Sequence, residues 1–519
     1  MTRTKRDLIL LLFFTFLCLL PFVNKPFNVD DPFYLKMAEQ IQKDPIRPYS
    51  FSINWSGETR DVWARMEATF PPLIPYYIAG VGALFGMNEI TLHLFFLVFP
   101  LVSAVSMYML LKKYVKNPLV YSFIFVSAPA FLVSSNSIML DVPLTAFMLS
   151  SAAFFIYGVD RGKDSYVLAG SVLSGFAVMT KYSAIIGVAV LGIYVLLSEK
   201  RKYFVYLLIP VAFFGLWCIH NLAMYGEAHF FKASSHVGKG LTPHKIIAFL
   251  PFFSGCLVFP MFAFFRLDIR EKLVSVILSA IFFVVAEKLQ LLRGGPATLT
   301  YTVLLAATSV FVYEVIKHRV EADKFIFAWL LIASFLVLTV EPWVSGRYIL
   351  FMLPPALIIF AQSNERLAGA AKYVSAGAAL ALTLYFGISL GIADYIWARS
   401  YPGIPEYLKS KEITSGYFLG HFGFQYYMEK SGFSALEVRD EVSGPSFIIA
   451  AKMPDPQKPA GGTFSKMELI DHQRIDSAFP LRVMSPKDHA GFYSSFWGIL
   501  PFAAAGTPVE EFAVFRLKK

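Results

Sequence analysis

The feature that most constrains this chain is a recurrence. Apolar runs of roughly 15 to 20 residues, near the length needed to cross a bilayer, return along most of it and are separated by short connections rich in Lys and Arg. A helix that is apolar on every face needs lipid or a large protein interior around it. With 56% hydrophobic and 16% charged residues among 519, and a mean hydropathy of +0.57, the chain reads as a polytopic membrane protein. The formal net charge of +10 then has a topological cause, because basic residues collect in connections as positive-inside sorting requires. No nucleic-acid signal remains. Cys18, Cys218 and Cys256 all lie in apolar runs and lack metal-ligand or disulfide-framework spacing, so they are read as packing residues.

Arg3, Lys5 and Arg6 precede an apolar run at residues 8–23 that no small-residue cleavage site follows, so it is read as an uncleaved first span with a cytoplasmic N-terminus. The piece Leu73–Phe85 is too short to span and follows Pro71-Pro72; it suits a helix lying in the interface. Residues 91–111 then form the second span. The rest follow at about 118–136, 142–158, 165–180, 183–198, 203–219, 246–265, 273–290, 297–316, 325–340, 348–362 and 373–393. Connections such as Lys200-Arg201-Lys202 and Arg366/Lys372 fall on the cytoplasmic side. The expected architecture is an all-α polytopic membrane domain of about 13 transmembrane helices at residues 1–393, with an interfacial helix in the first outer loop. A small C-terminal α/β soluble domain at 394–519 follows, marked by alternating stretches at 446–451 and 511–516, and an odd number of spans places it outside. The location expected is the inner (plasma) membrane, with the tail periplasmic or extracellular.

Ionisable residues at the outer membrane face are expensive and therefore functional candidates. Asp30-Asp31, at the mouth of the first span, places two carboxylates side by side, a costly arrangement without a compensating cation, metal or donor. Asp141 begins a span with no cation beside it in sequence, so its partner has to come from elsewhere in the fold; helix capping is the alternative role. Lys181, Arg293 and Arg347 lie in outer connections, where Arg offers a bidentate fork and Lys a point charge to a phosphate. Snorkelling is the competing reading for the arginines. Glu67 is a further first-loop carboxylate. His220, His229, His236 and His244 follow the seventh span at spacings that match no compact metal motif, which favours hydrogen bonding to a sugar or phosphate. The tail aromatics, among them Phe422, Phe424, Tyr426, Tyr427, Phe492, Tyr493, Phe496 and Trp497, are read as core rather than as a carbohydrate-stacking surface.

These residues carry a resemblance. Asp30-Asp31-Pro32-Phe33-Tyr34, Pro71-Pro72-Leu73 with Tyr76-Tyr77, Leu140-Asp141-Val142-Pro143, Met179-Thr180-Lys181, His220-Asn221 with Tyr225-Gly226, and Arg347-Tyr348 through Pro354 occur in the order found in certain membrane glycosyltransferases. The chain resembles the family 39 and family 83 group, the protein O-mannosyltransferases and lipid A aminoarabinose transferases, whose fold is called GT-C. In two places it departs. The second acid is Asp31 where the family has Glu, and Phe70 stands before Pro-Pro where His or Lys is common.

The resemblance implies inverting transfer of a sugar from a polyprenyl-phosphate donor, on the outer face, to an acceptor lipid, glycan or protein. Asp30 would be the base or would orient the acceptor, with Asp31 and Asp141 positioning it or binding a divalent ion such as magnesium or manganese. Lys181 and Arg347 would hold the leaving phosphate, with Arg293 a further candidate. Tyr34, Glu67, His220, Asn221 and Tyr348 would line the substrate site. The rival class is a lipid-linked glycan flippase or transporter, which would place charges near the bilayer midplane and show repeats.

Overall fold

The computed structural model describes residues 2–65, 68–234, 240–266, 269–288, 296–318, 323–439, 442 and 446–518. Among these, five helices are long and apolar enough to cross a membrane: Glu89–Tyr114, Asp141–Arg161, Arg201–Tyr225, Ala297–Ile316 and Ala371–Ser410. Helical segments also occupy the other intervals expected to span, several of them interrupted. One break has a simple cause. Ala128 precedes Pro129, and the proline ring pushes it out of the helical region to ψ 129°, splitting Pro118–Ser127 from Pro129–Ser134. The short piece in the first loop is a separate helix, Leu73–Phe85.

Each helix follows the physics of an apolar solvent. The first, Arg3–Leu19, buries Asp7, Leu11, Thr15 and Cys18 along one stripe and exposes Ile9, Phe13 and Leu17 on the other side. Hydroxyls inside the bundle spend their proton on the preceding turn, as Thr15 does on the Leu11 carbonyl at 2.8 Å and Ser103 on Phe99 at 2.8 Å. Small residues let backbones meet. A side chain at Gly387 would lie 2.1 Å from the Ser127 carbonyl oxygen, so the last helix touches the Pro118–Ser127 helix backbone to backbone.

That last helix, Ala371–Ser410, runs 40 residues and continues through the expected boundary at 393/394. Its outer half buries Trp397, Tyr401, Ile404 and Leu408, and this packing overrides the hydrogen bonds that Pro402 and Pro405 remove. Beyond it stands a five-stranded mixed sheet in the order Ser434–Ala435, Tyr417–Leu419, Phe447–Ala451, Glu510–Leu517, Met467–Ile475. The first three strands pair in parallel and the remaining pairs are antiparallel. Phe424, Phe492 and Tyr493 are fully buried, as a core reading requires, whereas Phe496 is exposed.

One buried polar contact fastens the two ends of the helical part together. Lys25, just after the first helix, pairs with Asp394 in the last, and both are essentially inaccessible to solvent. Tyr493, from the C-terminal part, donates its hydroxyl to the other Asp394 oxygen at 2.9 Å. Removing one partner of such a pair strands a buried charge, which costs about 3–5 kcal/mol. Lys25→Ala is therefore expected to destabilise the detergent-solubilised protein by about that amount in thermal unfolding. Lys25→Met combined with Asp394→Leu is expected to recover most of the loss; equal destabilisation in the single and double variants would contradict it.

Candidate active site

Four segments far apart in sequence deliver an alternating row of charges. Asp30 comes from the turn before the helix Asp31–Lys43, Asp141 from the first turn of Asp141–Arg161, Lys181 from the residue that ends Asp164–Thr180, and Arg347 from the turn leading into Tyr348–Phe351. Arg347 Nη1 donates to Asp30 Oδ2 at 2.6 Å and lies 3.8 Å from Asp141 Oδ2. Lys181 Nζ donates to Asp141 Oδ1 at 3.3 Å and sits 3.9 Å from Glu341 Oε1. The partner that Asp141 needs is thus supplied twice. Its side chain makes no capping bond to its own helix. Tyr348 backs the row, its ring centroid 4.3 Å from Lys181 Nζ and 5.3 Å from the Arg347 guanidinium carbon. Tyr34 is buried in the same electrostatic neighbourhood.

Exposure varies along the row. The Arg347 side chain is 10% exposed and that of Asp141 5%, whereas that of Asp30 is 27% exposed. Asp30 is the most exposed member of the row, with Lys181 next at 20%. Arg347 Nε is buried without an acceptor among the described residues, and an unpaired buried donor is costly unless a ligand completes it. Backbone strain marks the same place. Val29, immediately before Asp30, adopts φ 51°, a left-handed conformation that a β-branched residue rarely takes and that costs about 1–3 kcal/mol.

Asp31 does different work from its neighbour. It is wholly buried and accepts from Asn28 N–H at 3.0 Å and from Ile138 N–H at 3.1 Å, one bond to each oxygen. Ile138 lies three residues before Asp141, so Asp31 ties the loop carrying Asp30 to the segment carrying Asp141. Burial pushes its pKa up to about 7, against the pull of Lys25 and the two backbone donors. The acids proposed as metal ligands do not form a cage: Asp31 faces backbone, while Asp30 and Asp141 already face Arg347 and Lys181. This donor set suits cations on side chains rather than a divalent ion, which wants several free oxygens.

Among the described residues, no hydrogen bond or ion pair joins His220 or Asn221 to the charge row. His220 stacks on Trp217 at 5.1 Å, and Asn221 donates to the Trp217 carbonyl at 2.8 Å. His229 is a structural centre. Its Nε2 meets the Ala68 carbonyl at 3.0 Å and so carries the proton, leaving Nδ1 to accept from Tyr182 at 2.8 Å. Stacked on Tyr49 and buried, it is pushed down to about 4 and stays neutral. Glu67, Arg293 and His236 lie outside the described residues. Glu341, at the end of the row, was not singled out from sequence; the signal was an acid closing an apolar run just before Pro342.

Residues 69–222 match the family model for dolichyl-phosphate-mannose-protein mannosyltransferase, a stretch that includes Asp141 and Lys181. No curated protein sequence matches the chain. Among solved structures, ArnT from Cupriavidus metallidurans bound to undecaprenyl phosphate aligns with a TM-score of 0.53 at 13% identity, over 90% of this chain and 96% of that one. The protein O-mannosyltransferase Pmt1-Pmt2 complex of S. cerevisiae, bound to its sugar donor, aligns with a TM-score of 0.34 at 16% identity over 47% of this chain. This chain spans only 36% of that yeast chain. The likeness to ArnT shows a shared fold.

The raised pKa of Asp31 fixes the sign of a pH dependence. Between about 4, the unfolded carboxylate value, and about 7, the folded state holds a proton that the unfolded state has lost, so stability falls as pH rises through this window. Thermal unfolding of wild type is expected to show that decline and Asp31→Asn to flatten it; an unchanged slope in Asp31→Asn would contradict the assignment.

Proposed function

We propose that this chain, which resembles the GT-C membrane glycosyltransferases of the family 39 and family 83 group, moves a sugar from a polyprenyl-phosphate donor to an acceptor at the outer face of the membrane. The observation that carries the reading is the contact between Asp30 and Arg347. A group able to take a proton and a group able to hold a phosphate meet at one point, at the most exposed member of the row.

In this mechanism the donor phosphate takes over Arg347 and Lys181, and Arg347 Nε gains the acceptor it lacks. Asp30, released from Arg347, receives the proton of the acceptor hydroxyl as that oxygen bonds to the anomeric carbon. The bond from the anomeric carbon to the phosphate oxygen breaks on the opposite face, which inverts the configuration, and its electron pair stays on the phosphate. Arg347 and Lys181 stabilise that charge in a site with little water, where such stabilisation is strong. Where the acceptor is itself a phosphate, Asp30 orients it and no deprotonation is needed. Asp141 and Glu341 hold the two cations in place before the donor arrives. On this reading about 13 helices cross the inner membrane, the N-terminus is cytoplasmic and residues 394–519 face the donor side.

Membranes containing the protein are expected to transfer labelled sugar from at least one member of a panel of polyprenyl-phosphate sugars. Asp30→Asn is expected to lower that transfer by about 10²- to 10⁴-fold, the range for losing a positioned base, with donor binding retained. Movement of lipid-linked sugar across the bilayer that survives Asp30→Asn, with no transfer from any donor, would sink the transferase reading.

A further inference from the structure

The catalytic row depends on two pieces of backbone, 27–30 and 344–347, and the C-terminal part grips both. Gly346 N–H donates to the Phe492 carbonyl at 2.7 Å, Ser495 N–H to the Val344 carbonyl at 2.8 Å, and Val344 N–H to Ser495 Oγ at 3.2 Å. This two-rung pairing ends one residue before Arg347. The tip of the Phe492 ring abuts Gly346, where an added Cβ would fall 2.5 Å from ring atoms. On the other side, Phe27 N–H donates to the Tyr427 hydroxyl at 3.1 Å, which in turn donates to Glu89 at 2.8 Å. Gly423 sits so close to the same segment that a Cβ there would meet the Phe27 carbonyl oxygen at 2.2 Å. Tyr493 closes the loop through Asp394 to Lys25, five residues before Asp30.

We propose that the C-terminal part is a component of the active site: residues 492–495 and the helix Phe422–Lys430 clamp the segments bearing Arg347 and Asp30. Gly346, Phe492 and Tyr493 are therefore positioning residues for that ion pair. The two charged residues are 317 positions apart in sequence, and Val29 is strained at the join, so the backbone there needs holding from outside. Strain of this kind persists only where surrounding contacts over-determine it. A clamp supplies those contacts, and displacement of one reacting group by about 1 Å costs about 10²-fold in rate. The inference rests on the transferase reading for its kinetic consequence but not for its geometry.

The test uses the full chain in detergent and two readouts. Carbodiimide coupling of an amine to Asp30, followed by mass spectrometry, reports whether Arg347 still covers the carboxylate and needs no activity. Gly346→Ala is expected to raise the coupling rate several-fold and to lower kcat by about 10- to 100-fold. Adding Phe492→Leu, which lacks the ring atoms that the new methyl meets, is expected to return both readouts toward wild type. Tyr493→Phe deletes a single oxygen and is expected to raise coupling in the same direction; it keeps the test in force should Gly346→Ala fail to fold. Wild-type coupling rates in the folded variants would overturn the clamp. Absence of transfer by the wild-type chain would overturn the transferase reading alone, since the coupling readout would still decide the clamp.

Discussion

The structure depends on one buried guanidinium. Arg347 has been taken almost wholly out of water, a cost of several kcal/mol that only well-placed partners offset, and its partners come from two segments distant from it in sequence. Asp30 arrives from the first loop and Asp141 from the head of a long apolar helix. The guanidinium between them offsets the mutual repulsion of the two carboxylates. Lys181 and Glu341 extend the same alternation, so the row is held by mutual need rather than by any one strong bond.

Around that row the fold solves a positioning problem. Membrane helices fix their own backbones but not the short segments between them, and Asp30, Lys181 and Arg347 all stand in such segments. Three devices hold them. Asp31 spends both oxygens on backbone donors of two different segments. Lys25 and Asp394 lock the first helix to the last. The C-terminal part pairs directly with the backbone before Arg347. On the proposed transferase reading, parts fixed in advance keep reorganisation small, which is the condition under which fixed charges stabilise a transition state well.

Much of this was legible in the sequence, for definite reasons. Asp30, Asp141, Lys181 and Arg347 each stand out because a charge at the end of an apolar run is expensive. Leu73–Phe85 was legible by its length alone. The pairings were not, because nothing local links Arg347 to a carboxylate 317 residues away. The separate roles of Asp30 and Asp31 were also hidden, since neighbouring residues of one type differ only in which way the backbone turns them. The last span was expected to end at 393 because Pro, Gly, Ser and charged residues become frequent from Asp394, while burial of Trp397, Tyr401 and Leu408 carries the helix on to Ser410. His229, one of four histidines that invited a ligand reading, is a neutral strut between Tyr182 and the Ala68 carbonyl.

The most direct measurement is an experimental structure of the full chain in a lipid nanodisc with polyprenyl phosphate bound. Phosphate oxygens within about 3 Å of Arg347 and Lys181, with Asp30 detached from Arg347 and facing the open side, is the predicted result. Phosphate bound elsewhere, with the Asp30–Arg347 pair intact, would contradict the assignment of those two cations to the leaving group and the exchange of partners on which the mechanism rests.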